Sequence, residues 1–331
     1  MAVIEKRRIL LALAGAALLA TPAATASLPA FPAPEREVMV PVKGGRIFVR
    51  INGSAKAKAG KLPVIFLHGG PGGTLVSMLE ALALADERMV ILYDQLDSGR
   101  SDQPNDPANW KVARFVAELE AIRAALGIRR WHVVGHSWGG TVALEYAAKR
   151  PAALAGLVLS SPLVSTRRWI ADTNALRNRL PSAIQADLTA CEGKAPPPQA
   201  RCAAAAAAFE ASFYRREPDS PAKAAYRDPK DRGFNPTLYR TMWGSSEFVS
   251  SGTLKTYDGE ALLARLNGSR TLFMVGQHDE VRLETAALHA DRVPGAELAV
   301  VPGAGHATFI DRPGEAIGIL RAWLNRQDAR R

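Results

Sequence analysis

Three residues have the types and the order needed to open an acyl bond: Ser137, Asp279 and His306. A serine hydroxyl is a weak nucleophile unless a base takes its proton and a carboxylate orients that base. Ser137 sits at the centre of Gly135-His136-Ser137-Trp138-Gly139-Gly140, between a short apolar run and a helical stretch, Thr141 to Lys149. In a Gly-x-Ser-x-Gly turn of this kind the serine rides on a strained backbone at the top of a sheet, and the glycines let strand and helix approach closely. The helix N-terminus behind it adds partial positive charge where an oxyanion would form. On these residues alone, a Gly/Ser-rich turn without chemistry is the alternative. Asp279 follows the apolar run Thr271 to Val275, and His306 follows Glu297 to Val301, so each is expected on the loop after its strand. Ser, acid, His is a chain order known to build a catalytic triad. The local alternatives are a helix N-cap before Val281 for Asp279 and a surface loop for His306.

The charge that develops on a substrate oxygen needs two backbone N–H donors. Trp138, the residue after the nucleophile, would supply one. Gly70, in His68-Gly69-Gly70-Pro71-Gly72-Gly73, would supply the other. That loop lacks the Gly-Lys-Ser/Thr of a phosphate cradle. His132 falls inside a strand and His289 on a helix, where ordinary packing suffices, and His136 and His278 adjoin the expected catalytic positions without an evident role. No pair has a spacing such as H-E-x-x-H, so neither a metal nor another cofactor is expected.

Positioning these residues requires strands that end at the right places. Glu37 to Val42 and Gly45 to Asn52 alternate apolar and polar residues around Gly44-Gly45, as an antiparallel hairpin does. Pro63 to Leu67 is a continuous apolar run, the mark of a strand covered on both faces. A helix from about Val76 to Ala85, a strand Met89 to Tyr93 and an amphipathic helix Asn109 to Leu126 follow. Then come the Ser137 strand, its helix and the buried strand Ala155 to Ser160. From about Leu163 to Leu266 the chain is helical and Ala- and Arg-rich. Strand and helix then alternate again, with helices expected near Leu283 to Arg292 and from Pro313 to Gln327. This predicts an α/β fold, a mostly parallel central sheet with helices on both faces and an inserted helical cap. The expected division is a signal peptide at 1–26, a first core part at 27–162, the cap at 163–266 and a second core part at 267–331. The cap should lie over the C-terminal edge of the sheet, where such sheets bind ligands.

Of 331 residues, 47% are hydrophobic and 22% charged, which suits one large globular domain. The net charge of +10 is scattered rather than gathered into a basic run, so nucleic acid is not an expected partner. Lys6-Arg7-Arg8, the apolar Ile9 to Ala20 and Ala24-Thr25-Ala26 read as a cleavable signal peptide, with the bacterial periplasm as destination and no stable membrane association afterwards. Cys191 and Cys202 flank Pro196-Pro197-Pro198. In an oxidising compartment they would staple a helical hairpin, and two unpaired buried thiols are the competing reading.

His68-Gly69-Gly70-Pro71-Gly72, Asp94-Gln95-x-x-x-Gly99-Arg100-Ser101 and the Ser137 motif together resemble the signature set of the proline iminopeptidase (prolyl aminopeptidase) family of α/β hydrolases. Met242-Trp243-Gly244-Ser245-Ser246-Glu247-Phe248 resembles a cap segment of the branch that includes the tricorn-interacting aminopeptidase. The resemblance runs from about residue 37 to the C-terminus. It implies Ser137 as nucleophile, His306 as base, Asp279 as orienting acid, and Glu247 and Glu280 as carboxylates that hold a substrate's free α-amino group. A protonated amine in a water-poor pocket needs such partners, and holding it at a fixed distance from Ser137 would confine attack to the first peptide bond. The alternative makes Glu280 a helix-dipole carboxylate and Glu247 a solvated one. Trp138, Trp243 and Phe248 are the expected apolar wall for a pyrrolidine ring. The chain departs from the family at Asp97, where Gly is usual, and at Ser245, where Pro is frequent; both are expected near the mouth of the site.

The expected function is therefore an exported serine aminopeptidase. It would release an N-terminal residue, preferably proline, from short peptides or amino-acid amides with a free N-terminus. An esterase or amidase on a small non-peptide acyl substrate is the first alternative, and a non-catalytic binding protein on the same scaffold the second. The oligomeric state is left open.

Overall fold

The structure, a computed structural model, describes residues 30–330. The expected signal peptide lies outside the described residues. Among the described residues, no helix is long and apolar enough to cross a membrane.

Eight strands form one sheet: β1 (Arg36–Val42), β2 (Gly45–Asn52), β3 (Val64–Leu67), β4 (Val90–Tyr93), β5 (Trp131–His136), β6 (Leu154–Ser160), β7 (Thr271–Gly276) and β8 (Glu297–Val301). Their spatial order is β1-β2-β4-β3-β5-β6-β7-β8. The β1–β2 hairpin pairs Val42 with Gly45, and β2 runs antiparallel to β4; all later pairs are parallel. Every residue of β3, β4, β5 and β7 is buried, as strands covered on both faces must be. The chain winds outward in opposite directions from the adjacent β3 and β5. Their C-terminal ends form the kind of switch point at which open α/β sheets bind ligands.

Helices α1 (Val112–Ala125), α2 (Trp138–Ala147) and α9 (Leu283–Asp291) cover one face, and a 3₁₀ helix (Leu75–Asp86), α10 (Thr308–Asp311) and α11 (Pro313–Asp328) cover the other. The helix expected from about Val76 to Ala85 is present as this 3₁₀ helix. Leu75, Met78, Ala81 and Leu84 are buried at every third position, the period of a 3₁₀ helix, so one face can press onto the sheet without a break.

Between β6 and β7 lie α3 (Thr166–Arg177), α4 (Ser182–Cys191), α5 (Gln199–Phe209), α6 (Pro221–Ala225), α7 (Pro236–Met242) and α8 (Glu260–Leu263). This insertion has its own apolar cluster, including Leu176, Leu188, Phe209, Phe213 and Phe248. Cys191 and Cys202 form a disulfide across the α4–α5 hairpin, with Cα atoms 5.7 Å apart. Directly after α5 the chain makes a π-helical turn, Glu210–Tyr214, at the edge of the site described next.

Candidate active site

Ser137 stands between β5 and α2 at φ 55° and ψ −121°, a backbone conformation that few side-chain-bearing residues adopt. The glycines around it are dictated by space. A Cβ on Gly135 would lie 2.2 Å from the Gly139 carbonyl oxygen, and one on Gly139 2.3 Å from that of Leu67. A Cβ on Gly69 would come 3.1 Å from the Ser137 Cβ, so the glycine loop after β3 runs directly alongside Ser137. Among the described residues, the N–H groups of Gly70 and Trp138 have no protein acceptor, which leaves both free for an oxyanion.

Asp279 and His306 lie on the loops after β7 and β8. His306 Nδ1 and Asp279 Oδ1 are 2.9 Å apart, and both residues are buried. Asp279 also accepts from Ser161 Oγ at 2.5 Å and from the N–H groups of Gly276 at 2.9 Å and Val281 at 3.0 Å. The N-cap alternative for Asp279 does not hold: α9 begins at Leu283 with Arg282 as its N-cap, and the Val281 bond closes only the turn before it. Burial raises the Asp279 pKa, but the adjacent His306 and the donated hydrogen bonds outweigh it and hold the group below its usual range. The His306 ring is boxed by His136 at 4.8 Å, Trp169 at 5.2 Å and Tyr214 at 5.5 Å between centroids. Ser137 and His306 line the same cavity of about 390 Å³ without a hydrogen bond between their side chains. Such contacts are often long until substrate draws them together.

Glu247 and Glu280 line that cavity too. The Tyr239 hydroxyl donates to Glu247 Oε1. Glu280 is 2% exposed, and its Oε2 lies 4.0 Å from His306 Nδ1. No lysine or arginine lines the cavity. Burial, the Glu247 and Asp279 charges and Glu210 push the Glu280 carboxyl well above its usual pKa; burial also raises Glu247, against the Tyr239 hydrogen bond. Glu247, half-buried and bonded to Tyr239, is not the solvated carboxylate of the alternative reading, and Glu280 precedes the first turn of α9 rather than lying in it.

Trp243 lines the cavity, but Trp138 and Phe248 do not. Trp138 opens α2 with its ring in the core beneath, edge-on to Phe115, and its indole N–H donates to Gln95 Oε1 at 2.8 Å. Phe248 packs on Phe209, at 4.8 Å, in the apolar cluster of the insertion. The aromatic wall instead includes Trp169, Tyr214, Phe234 and Tyr239. Asp97 is not at the mouth. It is fully buried at φ 68°, where Gly is the easy choice, and its carboxylate accepts from Asn105 N at 2.7 Å and Trp110 Nε1 at 2.8 Å. Ser245 is exposed and outside the cavity lining. His132 pairs with Asp328 at 2.8 Å, and both it and His278 lie outside the lining. Among the described residues, no group of three or more His, Cys, Asp or Glu is arranged to hold a metal ion.

Residues 63–313 match the family profile of the α/β hydrolase fold. The chain is 34% identical over 290 residues to a proline iminopeptidase of Heyndrickxia coagulans, covering 87% of this chain and 98% of that protein. It is 32% identical to one of Levilactobacillus brevis, covering 88% and 97%. Among solved structures, a proline iminopeptidase of Mycobacterium smegmatis superposes with a TM-score of 0.79 at 32% identity, covering 89% of this chain and 99% of that one. VinJ gives the same TM-score of 0.79 at 30% identity, covering 89% and 100%. With its sheet order, nucleophile turn and similarity along most of its length, the chain belongs to the proline iminopeptidase family of α/β hydrolases.

Proposed function

We propose that this protein is an exported serine aminopeptidase that releases an N-terminal residue, preferably proline, from short peptides or amino-acid amides. One observation carries the reading. The cavity that holds Ser137 and His306 is also lined by three carboxylates, Glu210, Glu247 and Glu280, and by no lysine or arginine to neutralise them; Glu247 and Glu280 are the two the reading assigns to the amine. A protonated substrate amine supplies that charge, and it fixes the first peptide bond beside Ser137. The names of the relatives point to the same activity.

Ser137 Oγ attacks the carbonyl carbon while His306 Nε2 takes its proton. Asp279, bonded to Nδ1, holds the ring and balances the imidazolium. The Gly70 and Trp138 N–H groups stabilise the oxyanion. As the tetrahedral intermediate collapses, the C–N bond breaks and the leaving amine takes the proton from Nε2. Water then attacks the acyl-enzyme by the same base and frees the N-terminal amino acid. Trp169, Tyr239 and Trp243 form the apolar side of the pocket for the first residue's ring. The leader-like residues 1–26 and the Cys191–Cys202 disulfide both fit an oxidising compartment beyond the cytoplasmic membrane.

The test compares kcat/KM on proline, alanine and leucine p-nitroanilides with turnover of p-nitrophenyl acetate. The proposal expects the proline anilide to lead the series. Turnover of the ester alone would replace the aminopeptidase with an esterase.

A further inference from the structure

The loop that carries His306 has a second mount, formed by the helical insertion rather than by the sheet. His306 N donates to the Phe213 carbonyl at 2.8 Å, and Ala307 N to the Tyr214 carbonyl at 2.8 Å. Contact is so close at Gly305 that a Cβ there would lie 2.7 Å from the Phe213 oxygen and 3.0 Å from the Tyr214 oxygen. Asp311, 3% exposed, joins the two segments from below. Its Oδ2 accepts from Gly305 N at 2.7 Å, while its Oδ1 accepts from Arg216 N at 2.9 Å and Glu217 N at 3.0 Å.

We propose that Asp311 is a positioning residue for His306. It pins the strap 213–217 of the insertion to residues 305–307 and so fixes the depth of the imidazole between Asp279 and Ser137. The proposal rests on the reading of His306 as the base. Both carboxylate oxygens are in use, one for the strap and one for the histidine loop, so the division of labour requires an acid. An amide of the same shape offers one acceptor oxygen and turns its NH₂ toward an N–H donor. The strap also brings Tyr214 onto the His306 ring, at 5.5 Å and 32°, so backbone and side chain of the same segment set the ring's place. The helical insertion thereby shapes the base as well as covering the pocket.

The experiment measures kcat and KM of full-length mature Asp311→Asn and Asp311→Glu on proline p-nitroanilide and p-nitrophenyl acetate, with melting curves to establish folding. A small displacement of a catalytic group costs on the order of tenfold to a hundredfold in rate. Asp311→Asn is expected to lose that much kcat on both substrates, with KM for the anilide within about twofold of wild type, because Glu247 and Glu280 lie off the strap. Asp311→Glu keeps charge and acceptors and should lose less; it carries the test alone if the Asn variant does not fold. A folded variant with wild-type kcat and only a lower Tm, or with the loss confined to KM, overturns the proposal. The ester does not use the amine pocket. A failure of the aminopeptidase reading would therefore appear as an inactive anilide in the wild type, separate from any effect of Asp311.

Discussion

Glu247 and Glu280 face one cavity whose lining has no lysine or arginine, so burial and mutual repulsion favour holding a proton there. Glu280 is raised well above its ordinary value of 4.5, and the folded protein keeps a proton that the unfolded chain gives up. That contribution is complete below the unfolded value and is lost as pH rises toward the native one. Thermal melts should show wild-type Tm falling as pH rises above 4.5, and Glu280→Gln should flatten that fall. Asp279 has the opposite sign: lowered in the native state, it favours folding above 3.8, and that contribution fades as pH falls through the native value. Substrate ammonium must displace the Glu280 proton, so KM for a free-amine substrate should drop as pH rises through the same window, while an N-acetylated one should not respond. Asp279→Asn should cost on the order of 10⁴-fold in kcat, since the histidine then loses the carboxylate that fixes its tautomer. At this scale Ser137, Asp279 and His306 were legible as candidates because each follows its own strand, in an order that can build a triad. Ser161 was not: its hydrogen bond to Asp279 spans 118 residues and leaves no local pattern. Tyr239 and Glu210 were missed for the same reason, being placed by the folding of the insertion.

The strands of the core announced themselves as apolar runs, because a strand buried on both faces must be apolar throughout. The nucleophile turn was equally plain, and its glycines are spatially obligatory. Gly139→Ala should destabilise the protein by about 3 kcal/mol or more in a urea melt, since its Cβ would meet main chain that cannot move aside. Near-wild-type stability would mean that strand and helix are packed more loosely than the 2.3 Å approach to the Leu67 carbonyl implies. Elements were misread where side-chain direction mattered. Trp138 adjoins the nucleophile in sequence, yet only its backbone reaches the site, while its ring is buried in the core beside Phe115. Phe248 is next to Glu247 in sequence, yet it belongs to the insertion's apolar cluster. The π-helical turn 210–214, which follows the run of alanines 203–208, carries no signal of its own.

On the scale of the whole molecule, the helical insertion was visible as a break in strand–helix alternation, but its grip on the His306 loop was not, because that grip is made by main-chain groups and one distant carboxylate, Asp311. The disulfide closes a separation of 11 residues within the insertion. By loop entropy its removal should cost about 3 kcal/mol. Cys191→Ser with Cys202→Ser should therefore speed proteolysis within the insertion before the core melts. Equal proteolysis rates with and without the disulfide would show that the hairpin's apolar cluster suffices. The central claim, that paired carboxylates select a free N-terminus for Ser137, is tested most directly by one ratio. It is kcat/KM on proline p-nitroanilide over that on its N-acetylated form, measured for wild type and Glu247→Gln. The account predicts a large wild-type ratio that falls about a hundredfold in the variant, the cost of truncating one partner of a buried charge pair. A wild-type ratio near one would contradict it, leaving a serine hydrolase in which Glu247 and Glu280 do not read the substrate's amine.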